Sequence, residues 1–446
     1  MHQGLFPSRF SAMLLLTILF PAAKNRLMRL RLPLSLLLFS LFQFSAAPVA
    51  VAQLVFTSND DTAHSRSQYE AASQTFREAF ERYVRHDSIV GASYVIVKAG
   101  RVVERHSMGQ ADRELNQPVD EHTIFHWGSI TKTLTAVAIM QLRDRGKLSL
   151  DDSITRYVPE LNRIHSDYGP VSQVTLRHLL SHTSGFQNPT WPYRDDDKPW
   201  QPFEPTEWAQ LVAMMPYQEL AFKPGSRFSY SNPAFIYLAR VIEKVSGLPW
   251  QTYIRRNILI PVGMKRSYFN LSPPSLAKDR SNNYTVFVNE KGNETVKTNG
   301  REFDTGITTP NGGLNAPLDD LVRWVSFLTR RVAVTGSTVL SRSSLEEMWR
   351  PVVPVTATAE HPQSMGLSFF LDRRKFSSET ITFIGHTGSQ AGFRAFLEFN
   401  PQNGFAVIAG FNTSCAYGHN EAENKSAQIS QKGFNDLREL SLLMLQ

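Results

Sequence analysis

The chain has 446 residues, of which 42% are apolar and 20% charged, enough hydrophobic material for a large core and too much for a mainly disordered protein. Its 25 glycines and 25 prolines follow no period, which excludes a collagen-like repeat, and a single cysteine, Cys415, excludes an internal disulfide or a cysteine-based zinc cluster. The net charge of +7 is mostly local: residues 1–52 carry five basic side chains and no acidic one, and the remainder sets 42 basic against 40 acidic groups, so no nucleic-acid surface is indicated.

The first 52 residues read as an address. From Met28, two arginines precede an apolar stretch that ends in Ala50-Val51-Ala52, the pattern of a secretory signal peptide cleaved before Gln53. The apolar part is interrupted by Pro33 and Pro48 and is shorter than the ~20 residues of a membrane span. The expectation is therefore a secreted or periplasmic protein that meets a membrane only through an uncleaved leader. Residues 1–27 hold a second apolar run, Met13 to Phe20, which a start at Met28 would leave out.

Residues 53–67 read as a linker. A capping box at Ser67–Glu70 then opens a helix to about Val84, with Ala72, Phe76, Phe80 and Tyr83 at helical spacing. Ala92–Ala99 and Arg101–His106 form a hairpin about Gly100. Helical patterns cover 129–146, 206–214, 233–246, 250–257 and 317–330, broken by a hairpin at 281–303. Strand patterns return at 366–372, 381–385, 393–399 and 405–411, before a last helix with Phe434, Leu437, Leu440 and Leu443 on one side.

This order predicts an α/β (α+β) fold for residues 68–446. An antiparallel sheet from 68–125 and 365–446 is flanked by the N- and C-terminal helices, and a helical lobe, 126–364, is inserted into it.

Ser129 stands at the start of the helix that follows His126-Trp127-Gly128, and Lys132 lies one turn on along the same face. A serine hydroxyl needs a neighbouring base to become a nucleophile, and a lysine serves only if burial or nearby positive charge lowers its pKa. The pair alone is weak: Ser275 and Lys278 repeat it, and Tyr268-x-Asn270 echoes Tyr230-x-Asn232. Order separates the sets. Ser129-x-x-Lys132, then Tyr230-Ser231-Asn232, then His386-Thr387-Gly388-Ser389 follow one another along the chain.

In this order the three motifs resemble those of the β-lactamase-related serine hydrolases, which include class C β-lactamases, D-Ala-D-Ala carboxypeptidases and related esterases. Leu179-Leu180-Ser181-His182-Thr183-Ser184-Gly185 and Gly312-Gly313-Leu314 are similar to accessory stretches of that family, and the likeness spans about residues 68–446. It implies the penicillin-recognising serine hydrolase fold, an acyl-enzyme on Ser129, proton transfer shared by Lys132 and Tyr230 with the base left open, and a substrate amide held by Asn232. His386, Thr387, Gly388 and Ser389 would line the strand edge where substrate binds, and the Ser129 and Ser389 N–H groups would form the oxyanion hole. No cofactor is implied.

Most β-lactamases of the family carry lysine where this chain has His386, while carboxypeptidase and esterase members carry histidine. An ordinary imidazole, with a pKa near ~6.5, would meet a substrate carboxylate as a cation only below that pH. The expected function is hydrolysis of esters, amides or D-amino-acid peptides, with β-lactams as a further candidate class. The rival is a penicillin-recognising sensor with little turnover, which burst kinetics would distinguish. The sequence is silent on oligomeric state. His178 and His182 have metal-like spacing but read as structural, and Cys415 as an idle thiol. The aromatic and proline-rich stretch at 189–203 is either a roof over the cleft or an anchored surface loop.

Overall fold

A computed structural model of the chain describes residues 59–187, 205–329, 339–356, 362–376 and 379–444. The leader at 1–52, the stretch at 189–203 and the Leu443 side chain lie outside the described residues.

Helix α1 runs Asn59–His86 and so begins upstream of the capping box read at Ser67. Its apolar face, Phe76, Phe80, Tyr83 and Val84, is buried. The chain then forms the hairpin β1 (Gly91–Lys98) and β2 (Arg101–Asp112). Ala99 and Gly100 turn it with φ of 49° and 79°, the positive pair that a two-residue hairpin needs to match strand twist. A two-residue strand, β3 (Gln117–Pro118), follows.

Six strands come from the far end of the chain: β4 (Val353–Thr356), β5 (Gln363–Met365), β6 (Phe370–Phe376), β7 (Glu379–Gln390), β8 (Phe393–Phe399) and β9 (Ala406–Phe411). Together they make one antiparallel nine-stranded sheet in the order β3-β2-β1-β9-β8-β7-β6-β5-β4. The two ends of the chain meet where β1 pairs with β9, Ala92 opposite Phe411 through Val97 opposite Ala406.

Strands β8 and β9 are buried along their whole length, because the sheet is covered on both faces. One face packs Tyr94, Ile96, Phe396, Val407, Ala409 and Phe411 beneath α1 and the last helix, which runs Glu421–Met444 and contributes Phe434 and Leu437. The opposite face, with Val95, Val97, Ala395, Leu397 and Ile408, packs on the helical lobe. Truncating a fully buried Phe411 to alanine should cost ~3–5 kcal/mol.

The lobe contains α2 (Thr131–Asp144), α3 (Leu176–Leu180), α4 (Asn232–Ser246) and α5 (Leu318–Thr329). Helix α2 is buried from Thr131 through Leu142, so it forms the axis of the lobe and carries its first turn to the sheet.

The sequence expectations need three corrections. The strand read at 366–372 lies at Phe370–Phe376. The strand read at 381–385 is longer, β7 running Glu379–Gln390, and so takes in His386–Ser389. Strands β4 and β5 fall in the stretch assigned to the helical lobe, yet they join the sheet; at three or four residues, with Pro354 in one of them, they are too short to show alternation.

Candidate active site

Gly128, at φ 48°, turns the chain from the short strand Ile124–His126 into α2. Thr131 Oγ1 closes the turn by donating to the Gly128 carbonyl at 2.6 Å. Ile130 stands at the helix cap without a side-chain hydrogen bond, so the Ser129 hydroxyl is not consumed in capping. It faces Lys132 instead: Nζ lies 2.9 Å from Ser129 Oγ and donates to the Asn311 carbonyl at 2.8 Å. Lys132 is fully buried, and burial pushes its ammonium well below the ordinary lysine value. That is the condition under which a lysine amine accepts a proton near neutral pH.

Tyr230 completes the group. Its phenol hydrogen-bonds to Ser129, and burial raises its pKa well above the ordinary tyrosine value, so it keeps its proton. The ring is held in place by His182, stacked on it with centroids 4.3 Å apart and planes at 22°. His182 Nδ1 accepts the Ser231 N–H at 3.0 Å, and its carbonyl accepts the Ser229 N–H at 2.9 Å, so the residue fixes the segment that bears Tyr230. Asn232 follows as the first residue of α4, where Ser231 caps the Ala234 N–H at 3.3 Å. His178 serves elsewhere, its Nδ1 accepting the Thr175 N–H in the capping box of α3. Both histidines are thus committed to backbone groups.

Strand β6 pairs with β7 only as far as Gly385, opposite Phe370, while β8 pairs with β7 through Gln390. From His386 to Gln390 one edge of β7 is therefore without a strand partner among the described residues, and it runs past Ser129. The approach is backbone on backbone. A Cβ at Gly388 would stand 2.0 Å from the Trp127 carbonyl oxygen, and one at Gly128 would stand 2.8 Å from the Ser389 nitrogen. Glycine at both positions permits this approach, which brings the Ser389 amide nitrogen against the turn that bears Ser129.

His386 is not the ordinary imidazole that was expected. It is 3% exposed, and burial, followed by the proximity of Lys132, lowers its pKa to about 3. Its Nδ1–H donates to the Thr387 carbonyl at 2.6 Å, and its ring lies against Phe370. A group held neutral in this way gives no cation near pH 6.5, which removes the carboxylate switch expected from an ordinary imidazole. Thr387 and Ser389 are more accessible along the same edge.

The competing motif copies separate cleanly. Ser275 and Lys278 lie at the surface, away from any such pairing. Tyr268 pairs with Ser272, and Asn270 at φ 61° accepts from Thr305 and Thr309, a structural turn. Cys415 is half-buried in a short edge strand, with its thiol pushed up by burial. Sequence reasoning missed Asn311, which acts through a main-chain carbonyl; its only signal is its place beside Gly312-Gly313.

A family model described as Beta-lactamase matches residues 76–428. Esterase EstB of Burkholderia gladioli is 33% identical over 228 residues, 48% of this chain and 56% of that protein. Penicillin-binding protein 4* of Bacillus subtilis (strain 168) is 27% identical over 309 residues, 67% of this chain and 63% of that protein. The chain thus spans less than two thirds of the length of these curated relatives. Among solved structures, the octameric penicillin-binding protein homologue from Pyrococcus abyssi aligns with a TM-score of 0.63 at 28% identity, covering 77% of this chain and 74% of that one. A class C beta-lactamase aligns at 0.60 and 20% identity over 82% and 96%, a likeness of fold. With the model matched over most of its length and the three motifs gathered at one site, the chain belongs to the Beta-lactamase family.

Proposed function

We propose that the protein is a serine hydrolase that acts through an acyl-enzyme on Ser129, with small esters, amides or D-amino-acid peptides as substrates. The observation that carries this reading is the buried Lys132 amine, 2.9 Å from Ser129 Oγ. Held neutral, the amine keeps two N–H bonds and one lone pair. One N–H is taken by the Asn311 carbonyl, and the lone pair accepts the Ser129 proton. Tyr230, whose phenol stays protonated, supplies a proton to the leaving group.

Ser129 Oγ attacks the substrate carbonyl carbon while its proton passes to Lys132. The tetrahedral oxyanion is received by the Ser129 and Ser389 N–H groups. Collapse expels the leaving group, which takes the Tyr230 proton while the Lys132 ammonium returns the serine proton to the phenolate, and leaves an ester on Ser129. Water then attacks that ester along the same proton path in reverse.

The neutral His386 supports substrates whose binding does not rest on a cation at this edge, which favours esters and uncharged amides. The esterase relative, similar over 48% of the chain, is in keeping with that preference. The basic, acid-free leader supports export, and N-terminal sequencing of the native protein should find Gln53 first. The function is tested by intact-mass measurement after mixing with p-nitrophenyl esters, β-lactams and D-Ala-D-Ala peptides. A mass increase matching the acyl group, lost in Ser129→Ala, is the expected result. No adduct from any class, together with no ester turnover, would remove the reading.

A further inference from the structure

Two backbone amides and one lysine must be placed together for this chemistry, and they are held by three separate elements: the turn before α2, the end of β7 and the segment at 309–313. One side-chain contact touches all three. His126 lies three residues before Ser129, and its Nε2 is 3.1 Å from Oε1 of Gln390, the residue after Ser389. The Gln390 amide also lies over Gly312, the residue after Asn311: a Cβ at Gly312 would stand 2.3 Å from it. Glycine at that position makes room for the glutamine.

The other ring nitrogen of His126 is held by Asn315. Asn315 donates through Nδ2 to the Asn270 carbonyl at 3.2 Å, which turns its oxygen to His126 Nδ1 at 2.9 Å. The ring is 1% exposed, and burial pushes its pKa down to about 4, so it is neutral. Both ring nitrogens thus face amide oxygens, Nδ1 that of Asn315 and Nε2 that of Gln390, and the single N–H of the neutral ring donates to one of the two. The ring is wedged edge-on against Phe303, with centroids 4.8 Å apart, and beside Phe393 at 5.8 Å, so it has little room to swing.

We infer that His126 and Gln390 are positioning residues that clamp the end of β7 to the nucleophile turn and so set the spacing of the two oxyanion-hole amides. Neither touches the reacting atoms. They act through Ser129 and Ser389, and the inference rests on the acyl-transfer reading above.

His126→Phe retains the aromatic packing and removes both polar contacts, and Gln390→Leu removes the amide at a half-buried position. Single-turnover kinetics with p-nitrophenyl butyrate separate the dissociation constant for substrate from the acylation rate. Phenylboronic acid, which forms a tetrahedral adduct on the serine, reports the oxyanion hole directly. In each variant the acylation rate should fall roughly 10- to 100-fold, in line with the cost of misplacing reacting groups by about 1 Å. The boronate inhibition constant should rise by a similar factor, while substrate dissociation and Tm stay near wild type. The double variant should be no worse than the weaker single, because both act through one contact. Acylation and boronate inhibition within twofold of wild type in both variants would overturn the clamp. So would a parallel loss of substrate binding and Tm, which would mark a purely structural contact. A wild-type protein that neither turns over the ester nor binds the boronate would instead defeat the Ser129 reading, and the clamp with it.

Discussion

Replacing Lys132 with methionine tests base chemistry and burial at once. Methionine fills most of the lysine stem but has no amine, so Ser129 loses its proton acceptor and the Asn311 carbonyl loses its donor. Loss of general-base help should lower the acylation rate by ~10²–10⁴, or about 2.7–5.4 kcal/mol of barrier. The stability effect is opposed. An unpartnered buried carbonyl costs about 1–3 kcal/mol, whereas removing an amine from a fully buried site relieves its desolvation.

The pH dependence decides between these. In the native protein Lys132 sits well below its ordinary value, so the unfolded chain binds one proton more than the folded one. Wild-type stability must then rise with pH, by about 1.4 kcal/mol per unit, between the lowered native pKa and the unfolded value near ~10.4. The methionine variant lacks this contribution, so wild type should gain on it as pH rises from the lowered native value toward the unfolded one. Denaturant unfolding of both proteins at several pH values, with single-turnover ester kinetics on the same samples, makes the comparison. A stability difference that stays constant with pH, or a variant that acylates within tenfold of wild type, would refute the account of Lys132.

Other expectations follow from the same geometry. Tyr230→Phe should slow acylation by orders of magnitude, and its combination with Lys132→Met should be less than additive, since both lie on one proton path; this is read by pre-steady-state kinetics. His182→Ala removes the ring stacked on Tyr230 and the acceptor for the Ser231 N–H, so the acylation rate should fall although His182 touches no substrate, and the loss should fall on kcat more than on KM. Because the His386 pKa is held near 3, KM for a carboxylate-bearing substrate should be flat from pH 5 to 8. A fall in that KM near pH 6.5 would restore the switch. Gly388→Ala forces a methyl group into the Trp127 carbonyl and should abolish activity or folding, as activity and circular dichroism would show.

What the sequence made legible was whatever depends on local spacing and on order. Ser129 and Lys132 could be paired because three residues along a helix bring side chains onto one face, and the order of the motifs chose them over Ser275 and Lys278. The strands β8 and β9 and the terminal helices were readable from their apolar patterns, and the sheet follows once both chain ends are strand-rich. What remained hidden depends on tertiary surroundings. The residue type of His386 is plain, but its burial, and hence its charge, comes from Phe370 and the lobe behind it. Asn311 works through a carbonyl, which no residue letter encodes. His126 and Gln390 are distant in sequence, and neither carries a signal of the other. Strands β4 and β5 are too short for any pattern.

The central claim is that Ser129, activated by a buried neutral lysine, is the group that takes the acyl chain. It is tested most directly by treating the protein with a fluorophosphonate and locating the adduct by peptide mass spectrometry. A single label on Ser129, absent in Ser129→Ala, unchanged in Ser275→Ala and slowed at least a hundredfold in Lys132→Met, is the result expected. A label on another serine, or labelling of Ser129 at an undiminished rate without Lys132, would contradict it.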